Sequence, residues 1–396
     1  MEYNTVKVFD FTGKNILEIS ADLRTECGNN CKFCIDKVCD LKDTIYITSQ
    51  MIHEMADNTL EYFMSDRAQE VGKIKFSVLG GELFESSVTE ERWNDYYYFF
   101  DTCIENAKKA HIDIYFYITT NLIYPVENLK RVFELLDYLN NKVPGICNSI
   151  GTSFDVWGRF HTKESLRLWR INFEYFLREM QNRNIEVCSE TVLTKPAIEI
   201  LRNRPEEYKE ELEIFDFMRK LTREGIIKHN LNRFWGPTKP EFVNDKELAD
   251  FIKWALDKYP ELELIGKFLD TEVPHRACHG GAGEFINNKV QENGCNVIES
   301  IASIAINMDM SKEDALEKML MAVPKKDNEI TYSFDGIFKE FMKYNRCSLC
   351  KHFKYCCFDC MNLWNLKASH HDIKSHYCWL KDVYNYAEEL KNDKTK

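Results

Sequence analysis

The stretch Cys27-Gly28-Asn29-Asn30-Cys31-Lys32-Phe33-Cys34 follows directly after an apolar, strand-like segment at residues 15–21. Its three cysteines fit within one short loop, so their thiolates can bind one metal ion or one small metal cluster. Ligation by sulfur alone favours zinc or an iron–sulfur cluster over hard cations. Three ligands are one short of closing a tetrahedral zinc site or a four-iron cubane. The spacing therefore predicts a metal site with one coordination position that the cysteines leave open.

Composition limits the partners of this chain. It has 396 residues, of which 44% are hydrophobic, which suits one large domain and a smaller one. The 52 basic and 64 acidic residues give a net charge of -12, which disfavours nucleic acid and anionic membranes as partners. The sequence contains no run of about 18 apolar residues and begins without a signal-peptide pattern. We expect a soluble, cytoplasmic protein.

The 15 cysteines indicate metal more than disulfides, because the cytosol keeps thiols reduced. Three lie in the first loop, and eight lie between Cys278 and Cys378. The remaining four we interpret as small buried hydrophobic residues, with the first of them nearest to the cysteine loop. These four are Cys39, Cys103, Cys147 and Cys188.

Alternating strand-like and helix-like segments predict the fold. The predicted strands are residues 14–21, 73–79, 112–118, 147–154, 185–193 and 225–230. The predicted helices between them are residues 51–63, 89–110, 125–139, 163–181 and 198–221. Six successive strand–helix units indicate an α/β fold, a partial (β/α)6 barrel of parallel strands. A small, irregular, cysteine-rich domain follows it.

Polar motifs follow four of the predicted strands. They are the cysteine loop, Gly80-Gly81-Glu82, Thr119-Thr120-Asn121 and the region of Ser153. In barrels of parallel strands, active sites are built at this carboxyl-terminal edge. We predict that residues 1–233 form the barrel, residues 234–277 a proline-containing bridge with a helix at 246–258, and residues 278–396 the cysteine-rich domain.

Together, the cysteine spacing and these motifs resemble the radical S-adenosylmethionine (SAM) superfamily. The resemblance implies that Cys27, Cys31 and Cys34 hold a 4Fe-4S cluster whose fourth iron is chelated by SAM. An electron, delivered by a donor such as flavodoxin or ferredoxin, would cleave SAM to methionine and a 5'-deoxyadenosyl radical that abstracts hydrogen from a substrate.

The resemblance also implies which residues bind SAM. Gly80 and Gly81 would let the backbone approach a ligand closely, and Glu82 would accept a hydrogen bond from the SAM amino group. Candidate partners for the SAM ribose and carboxylate are Thr120, Asn121 and Ser153, which serve equally well as turn residues. Arg159 and Arg170 are further candidates for the carboxylate.

The second group of cysteines matches the seven-cysteine pattern of SPASM domains, which carry two auxiliary 4Fe-4S clusters. The spacing of its C-x2-C-x5-C-x3-C run differs from that of zinc ribbons. The resemblance implies an inner cluster on Cys278, Cys295 and Cys360. It implies an outer cluster on Cys347, Cys350, Cys356 and Cys378. With the SAM-binding cluster, this makes three.

Two departures from the SPASM pattern concern the inner cluster. Val290 stands where a glycine is usual, five residues before the second cysteine, so we expect a differently built hairpin there. An additional cysteine that some members place before the first is absent. The inner cluster would then keep an open iron or be closed by Cys357, His275 or His279.

The resemblance implies an enzyme that oxidatively modifies a peptide or protein by crosslinking, thioether formation or epimerisation. A formylglycine-generating sulfatase-type maturase is an alternative, although such maturases place an aspartate base where this chain has Asn296. A zinc-binding scaffold is an alternative of another class. With 26 residues before Cys27, we expect the substrate to dock in extended form on a strand edge, or to be delivered by a separate leader-peptide-binding protein.

Overall fold

The computed structural model describes residues 16–34, 46–234, 239–269, 283–292, 345–346, 349–352 and 377–394. These residues form two compact units. The first unit takes in the described residues within Met1–Val192, Glu199–Asn232 and Gly281–Asn293, and the second those within Leu193–Ile198, Arg233–Gly280 and Gly294–Lys396. The division at residues 233/234 and 277/278 remains a prediction.

Strands and helices alternate through residue 233, as the sequence predicts. The strands, including two that come later in the chain, are β1 (Leu17–Asp22), β2 (Lys73–Leu79), β3 (Asp113–Thr120), β4 (Ser149–Ser153), β5 (Glu186–Leu193), β6 (Ile227–Arg233), β7 (Gly283–Ile286) and β8 (Lys289–Glu292). The helices are α1 (Ser49–Phe63), α2 (Asp66–Val71), α3 (Glu90–Ala110), α4 (Leu129–Lys142), α5 (Lys163–Asn182), α6 (Lys195–Asn203) and α7 (Lys209–Arg223).

The strands form one sheet in the order β6-β5-β4-β3-β2-β1-β7-β8. Strands β1 to β6 make a parallel six-strand sheet with alternating helices, which confirms the predicted α/β fold. Because β1 to β4 are successive neighbours, their carboxyl ends lie side by side at one edge of the sheet.

Polar residues start the main helices. Thr48 Oγ1 accepts a hydrogen bond from Met51 N at 3.2 Å at the start of α1, and Thr89 caps α3 in the same way. Thr162 forms a reciprocal capping box at the start of α5. These side chains satisfy amide groups that the first helical turn leaves unpaired. None of the described helices has both the length and the apolar character to cross a bilayer.

The prediction of one helix at residues 198–221 is wrong, because two helices occupy this region. Helix α6 ends at Asn203, and Arg204 adopts a left-handed conformation with φ of 49°. Pro205 follows and precedes a short 3₁₀ turn that leads into α7. Proline lacks the N–H that a continuing helix needs and restricts the residue before it, so the break follows from local chemistry.

One face of the sheet forms the core of the first unit. Ile19, Phe76 and Phe116 are paired in register across β1, β2 and β3, and each is at most 1% exposed. The Phe76 ring lies 5.6 Å from that of Phe116 and 6.0 Å from that of Phe99 on α3. Alternation along each strand thus places aromatic residues between the sheet and its helices.

The opposite face of the sheet is polar. Lys75 Nζ lies 3.1 Å from Glu18 Oε1 and 4.7 Å from the centre of the Tyr117 ring. The half-buried Cys188 lies on β5 near Tyr117, and burial raises its pKa to about 12. Cys103 and Cys147, by contrast, are fully buried as predicted. Cys39 lies outside the described residues.

The hairpin of β7 and β8 extends the sheet beyond the six predicted strands. β7 pairs in parallel with β1, and β8 pairs antiparallel with β7. The turn uses Asn287 and Asn288, both with positive φ, and Val290 lies within β8. The Phe285 ring stacks 6.5 Å from Phe76. Residues 283–292 therefore belong to the first unit.

The second unit contains α8 (Asp245–Ala255), the short α9 (Glu263–Gly266) and α10 (Trp379–Lys394). Lys253 Nζ on α8 lies 2.9 Å from Asp382 Oδ2 on α10. The Phe268 ring packs against Tyr384 of α10 at 4.8 Å. An ion pair and aromatic packing thus attach the described carboxyl-terminal helix to this unit.

We predict that His229 makes the fold sensitive to acid. The ring is buried on β6, and burial, with the charge of Arg219, lowers its pKa to about 3. In the unfolded chain the pKa is about 6.5. Between these values only the unfolded state binds the proton, so stability falls as the pH falls. In His229→Gln, the slope of the unfolding free energy against pH should decrease by up to about 1.4 kcal/mol per pH unit.

Denaturant titrations between pH 7 and pH 5 measure this slope. The exposed His111, changed to Asn, is the matched control and should leave the slope as it is. Equal slopes for the wild type and His229→Gln would show that the buried ring does not govern acid sensitivity.

Candidate functional site

The loops after β1, β2, β3 and β4 meet at the carboxyl edge of the sheet. Asn121, after β3, bonds to the loops that follow β1 and β2. Lys32 N in the cysteine loop donates to Gly158 O, after β4, at 2.9 Å. His161 Nε2 donates to Asn29 O at 2.6 Å. These contacts bring the predicted motifs together in one site.

Gly80 and Gly81 allow close contact between two loops. Gly81 N donates to Arg24 O at 2.6 Å, and Glu82 N donates to Glu26 O at 3.0 Å. Gly80 has a φ of 96°, and a Cβ at Gly81 would collide with the Glu26 carbonyl oxygen. The backbone that approaches these glycines is therefore the start of the cysteine loop.

The Glu82 carboxylate is buried within this site, with 2% of the residue exposed. Its Oε1 accepts from Phe84 N at 3.1 Å and Thr120 Oγ1 at 3.0 Å, and its Oε2 accepts from Asn121 N at 2.5 Å. Burial nevertheless raises the pKa of Glu82 to about 7. A carboxylate offers about four acceptor positions, so it can take a further donor.

The structure separates the roles of Thr120 and Asn121. The Thr120 hydroxyl lies between Glu82 and Tyr124 Oη, at 2.8 Å from the latter. Asn121 Nδ2 instead donates to Cys27 Sγ at 3.5 Å. Glu82 thus fixes the backbone of the residue whose side chain contacts the first cysteine. Ser153 lies half-buried at the end of β4.

Two supporting residues are not apparent from the sequence. Asn172 on α5 is fully buried and donates to the carbonyl groups of Leu122, at 3.0 Å, and Tyr124, at 2.7 Å. Leu122 has a φ of 57°, so these bonds hold a left-handed turn. Glu85 Oε1 accepts from Gly28 N in the cysteine loop. Neither side chain belongs to a recognisable motif.

The two candidate arginines differ in their environment. Arg159 is 7% exposed, and its Nε lies 2.6 Å from Oδ2 of the fully buried Asp155. Burial opposes the charge of Arg159, but the attraction of the Asp155 carboxylate and of a negative charge on Cys31 outweighs this and raises the pKa of Arg159. Arg170 is exposed on α5 and pairs with Glu174 at 3.3 Å. Only Arg159 faces the cysteines.

Cys27, Cys31 and Cys34 are each half-buried in the loop after β1. Asn29 Nδ2 donates to Cys31 Sγ at 3.1 Å, and burial raises the pKa of Cys27. Across the described part of the chain, no three His, Cys, Asp or Glu side chains are grouped closely enough to hold a metal ion. Cys27 and Cys31 each accept an amide N–H and lie near the buried Arg159, and such surroundings suit the thiolate ligands of a cluster.

Most of the second group of cysteines falls outside the described residues. Cys350 and Cys378 are described, and both are half-buried in the second unit. Outside lie Cys278, Cys295, Cys347, Cys356 and Cys360, as well as the alternative ligands Cys357, His275 and His279. The two auxiliary ligand sets stay predictions.

No family model matches this chain, and no curated protein matches its sequence. Solved structures do match its fold. Native anSMEcpe with bound AdoMet and Cp18Cys peptide has a TM-score of 0.54 and 16% identity, covering 96% of this chain and 100% of the other. Native anSMEcpe with bound AdoMet has a TM-score of 0.52 and 16% identity, and the match covers 96% of this chain and 100% of the other. Histidine-tagged anSMEcpe with bound AdoMet has a TM-score of 0.51 and 15% identity, and the match covers 96% of this chain and 95% of the other. The likeness shows a shared fold.

We predict that Gly81→Ala disrupts the contact between the loops after β1 and β2. The added Cβ would collide with backbone, so the free energy of unfolding should fall by about 2 kcal/mol, the scale of overpacking. Gly145→Ala is the control, because it introduces a positive-φ alanine, with φ of 79°, but meets no atom within 4 Å. We expect a cost of about 1 kcal/mol there.

Denaturant unfolding measures both variants, and limited proteolysis reports whether the cysteine loop has become accessible. Equal stability losses without new cleavage in the cysteine loop would show that the contact does not constrain Gly81.

Proposed function

We propose that this chain, which has the fold of the AdoMet-bound anSMEcpe structures, is a radical SAM enzyme that modifies a peptide or protein. One observation carries the proposal: Asn121 bonds both to Glu82 of the Gly-Gly-Glu motif and to Cys27 of the C-x3-C-x2-C loop. A 4Fe-4S cluster with SAM would supply hydrogen abstraction by a 5'-deoxyadenosyl radical.

Cys27, Cys31 and Cys34 would hold the cluster. Their loop is already fixed on two sides, by Gly158 and His161 after β4 and by Glu85 after β2. Cluster binding would require the three sulfurs to move together within this loop, and thiolate formation would remove the protons that burial favours on Cys27. The amide donors of Asn29 and Asn121 would then stabilise the anionic sulfurs.

Glu82 would bind the amino group of SAM. A raised pKa near 7 means that the buried carboxylate lacks a compensating positive charge, which an ammonium group would supply. Gly80 and Gly81 would shape the loop that presents it, and Thr120 would hold it through its hydroxyl. Asn121 and Ser153 would contact the SAM ribose or carboxylate.

Two auxiliary 4Fe-4S clusters complete the proposal. The inner cluster would be bound by Cys278, Cys295 and Cys360. The outer cluster would be bound by Cys347, Cys350, Cys356 and Cys378. A donor such as flavodoxin or ferredoxin would supply electrons, and a separate protein would bind a leader peptide where the substrate has one.

The reaction we favour is crosslinking, thioether formation or epimerisation. Sulfatase maturation is the second candidate, because anSMEcpe is an anaerobic sulfatase-maturating enzyme whose structure holds a peptide. Against it stands Asn296, an amide that cannot act as a base where those maturases carry an aspartate. A zinc scaffold would contain zinc and neither iron nor sulfide.

Anaerobic reconstitution tests the cluster assignment. We predict about twelve irons per chain, four for each of three clusters. Replacing Cys27, Cys31 and Cys34 together by Ala should remove about four irons and abolish SAM cleavage, because their thiolates bind the cluster that receives SAM. Iron and sulfide analysis with chromatography of SAM products measures both quantities.

The buried Cys103, changed to Ala, serves as the matched cysteine control and should leave iron content and SAM cleavage intact. SAM cleavage that survives the triple substitution would rule out the radical SAM assignment.

We predict that Glu82→Gln weakens SAM binding by about 2 kcal/mol, roughly 30-fold in Kd, because it removes a buried negative charge but keeps the side-chain shape. Equilibrium dialysis of cluster-loaded protein measures the Kd. The exposed Glu90→Gln is the control, since its partner is the surface residue Arg131. An unchanged Kd at equal iron content would refute the role of Glu82.

A further inference from the structure

We propose that Arg159 raises the reduction potential of the cluster on Cys27, Cys31 and Cys34 by holding a fixed positive charge beside it. This inference rests on the proposed function, because it needs a cluster in that loop. It gives Arg159 an electrostatic role in setting the reduction potential of the cluster. The sequence alone does not distinguish Arg159 from Arg170 as the residue with this role.

Arg159 is held in place by a buried anion. Its Nε lies 2.6 Å from Asp155 Oδ2, and the residue is 7% exposed. The other carboxylate oxygen of Asp155 accepts from Val192 N, at the end of β5, at 2.6 Å. The ion pair is therefore anchored to the sheet, which limits where the guanidinium can lie.

The guanidinium faces the cysteine loop. Its central carbon lies 5.6 Å from the centre of the Phe33 ring, which stands between Cys31 and Cys34 in the chain. Cys31 and Cys27 both lie within electrostatic range of it. Its hydrogen bond to Asp155 uses Nε, which leaves Nη1 and Nη2 outside that bond. The two Nη groups, which carry four N–H donors, thus lie on a largely buried cation beside the predicted cluster ligands.

A positive charge at this position favours the reduced cluster. Reduction adds one negative charge to the cluster. A buried cation nearby stabilises this charge more strongly than an exposed cation would, because water screens their interaction less. Asp155 offsets part of this field, and Glu82 and Glu85 oppose it near Cys27. Removing Arg159 would leave the charge of Asp155 without its guanidinium partner and make the cluster harder to reduce.

Redox titration followed by electron paramagnetic resonance tests the proposal in SAM-free holoprotein. The relevant signal is the one that disappears when Cys27, Cys31 and Cys34 are replaced together. At the wild-type midpoint, Arg159→Gln should lower the ratio of reduced to oxidised cluster about tenfold, which is about 59 mV for one electron. Arg159→Lys should stay within about twofold of the wild type, and Arg170→Gln should be unchanged.

An unchanged ratio in Arg159→Gln, or equal shifts in the Lys and Gln variants, would overturn the proposal. A shift that appears only after SAM is added would also overturn it, since the guanidinium would then act on SAM. If Arg159→Gln does not fold, Asp155→Asn replaces it: removing the counter-charge should raise the ratio, and an unchanged or lower ratio would contradict the proposal. A triple cysteine variant that keeps all its iron would instead refute the proposed function.

Discussion

Two backbone hydrogen bonds, from Gly81 and Glu82 N–H groups to the Arg24 and Glu26 carbonyl oxygens, organise the carboxyl edge of this sheet. They continue the contact between β1 and β2 past the strand ends. They fix the start of the cysteine loop and place the Glu82 carboxylate within hydrogen-bond distance of the Asn121 backbone N–H group. Since Asn121 in turn contacts Cys27, three loops depend on an approach that side chains at positions 80 and 81 would prevent.

Two buried acidic groups sit at this edge in different electrostatic states. Asp155 has a guanidinium partner in Arg159, whereas Glu82 has hydrogen-bond donors but no cation among the described residues, and burial raises its pKa to about 7. A buried charge is costly unless it is paired. The Glu82 site would therefore gain from a bound ammonium group, while the Arg159 guanidinium would gain from the anionic sulfurs of a cluster.

Local chemistry made the strands and the motif positions predictable, because the motifs directly follow apolar alternating segments. The hairpin of β7 and β8 was not predictable: each strand has four residues, and its pairing with β1 joins segments far apart in sequence. Asn172 and Glu85 act through bonds to distant backbone, so no local pattern marks them. Arg159 and Arg170 read alike in sequence, and only burial distinguishes them.

We propose that the cysteine loop and the Gly-Gly-Glu loop form one site that binds SAM on an open iron. Mössbauer spectroscopy of protein reconstituted with 57Fe, recorded before and after SAM is added, tests it most directly. We expect SAM to alter the signal of one iron, which belongs to the cluster on Cys27, Cys31 and Cys34. Spectra that are identical with and without saturating SAM would contradict it.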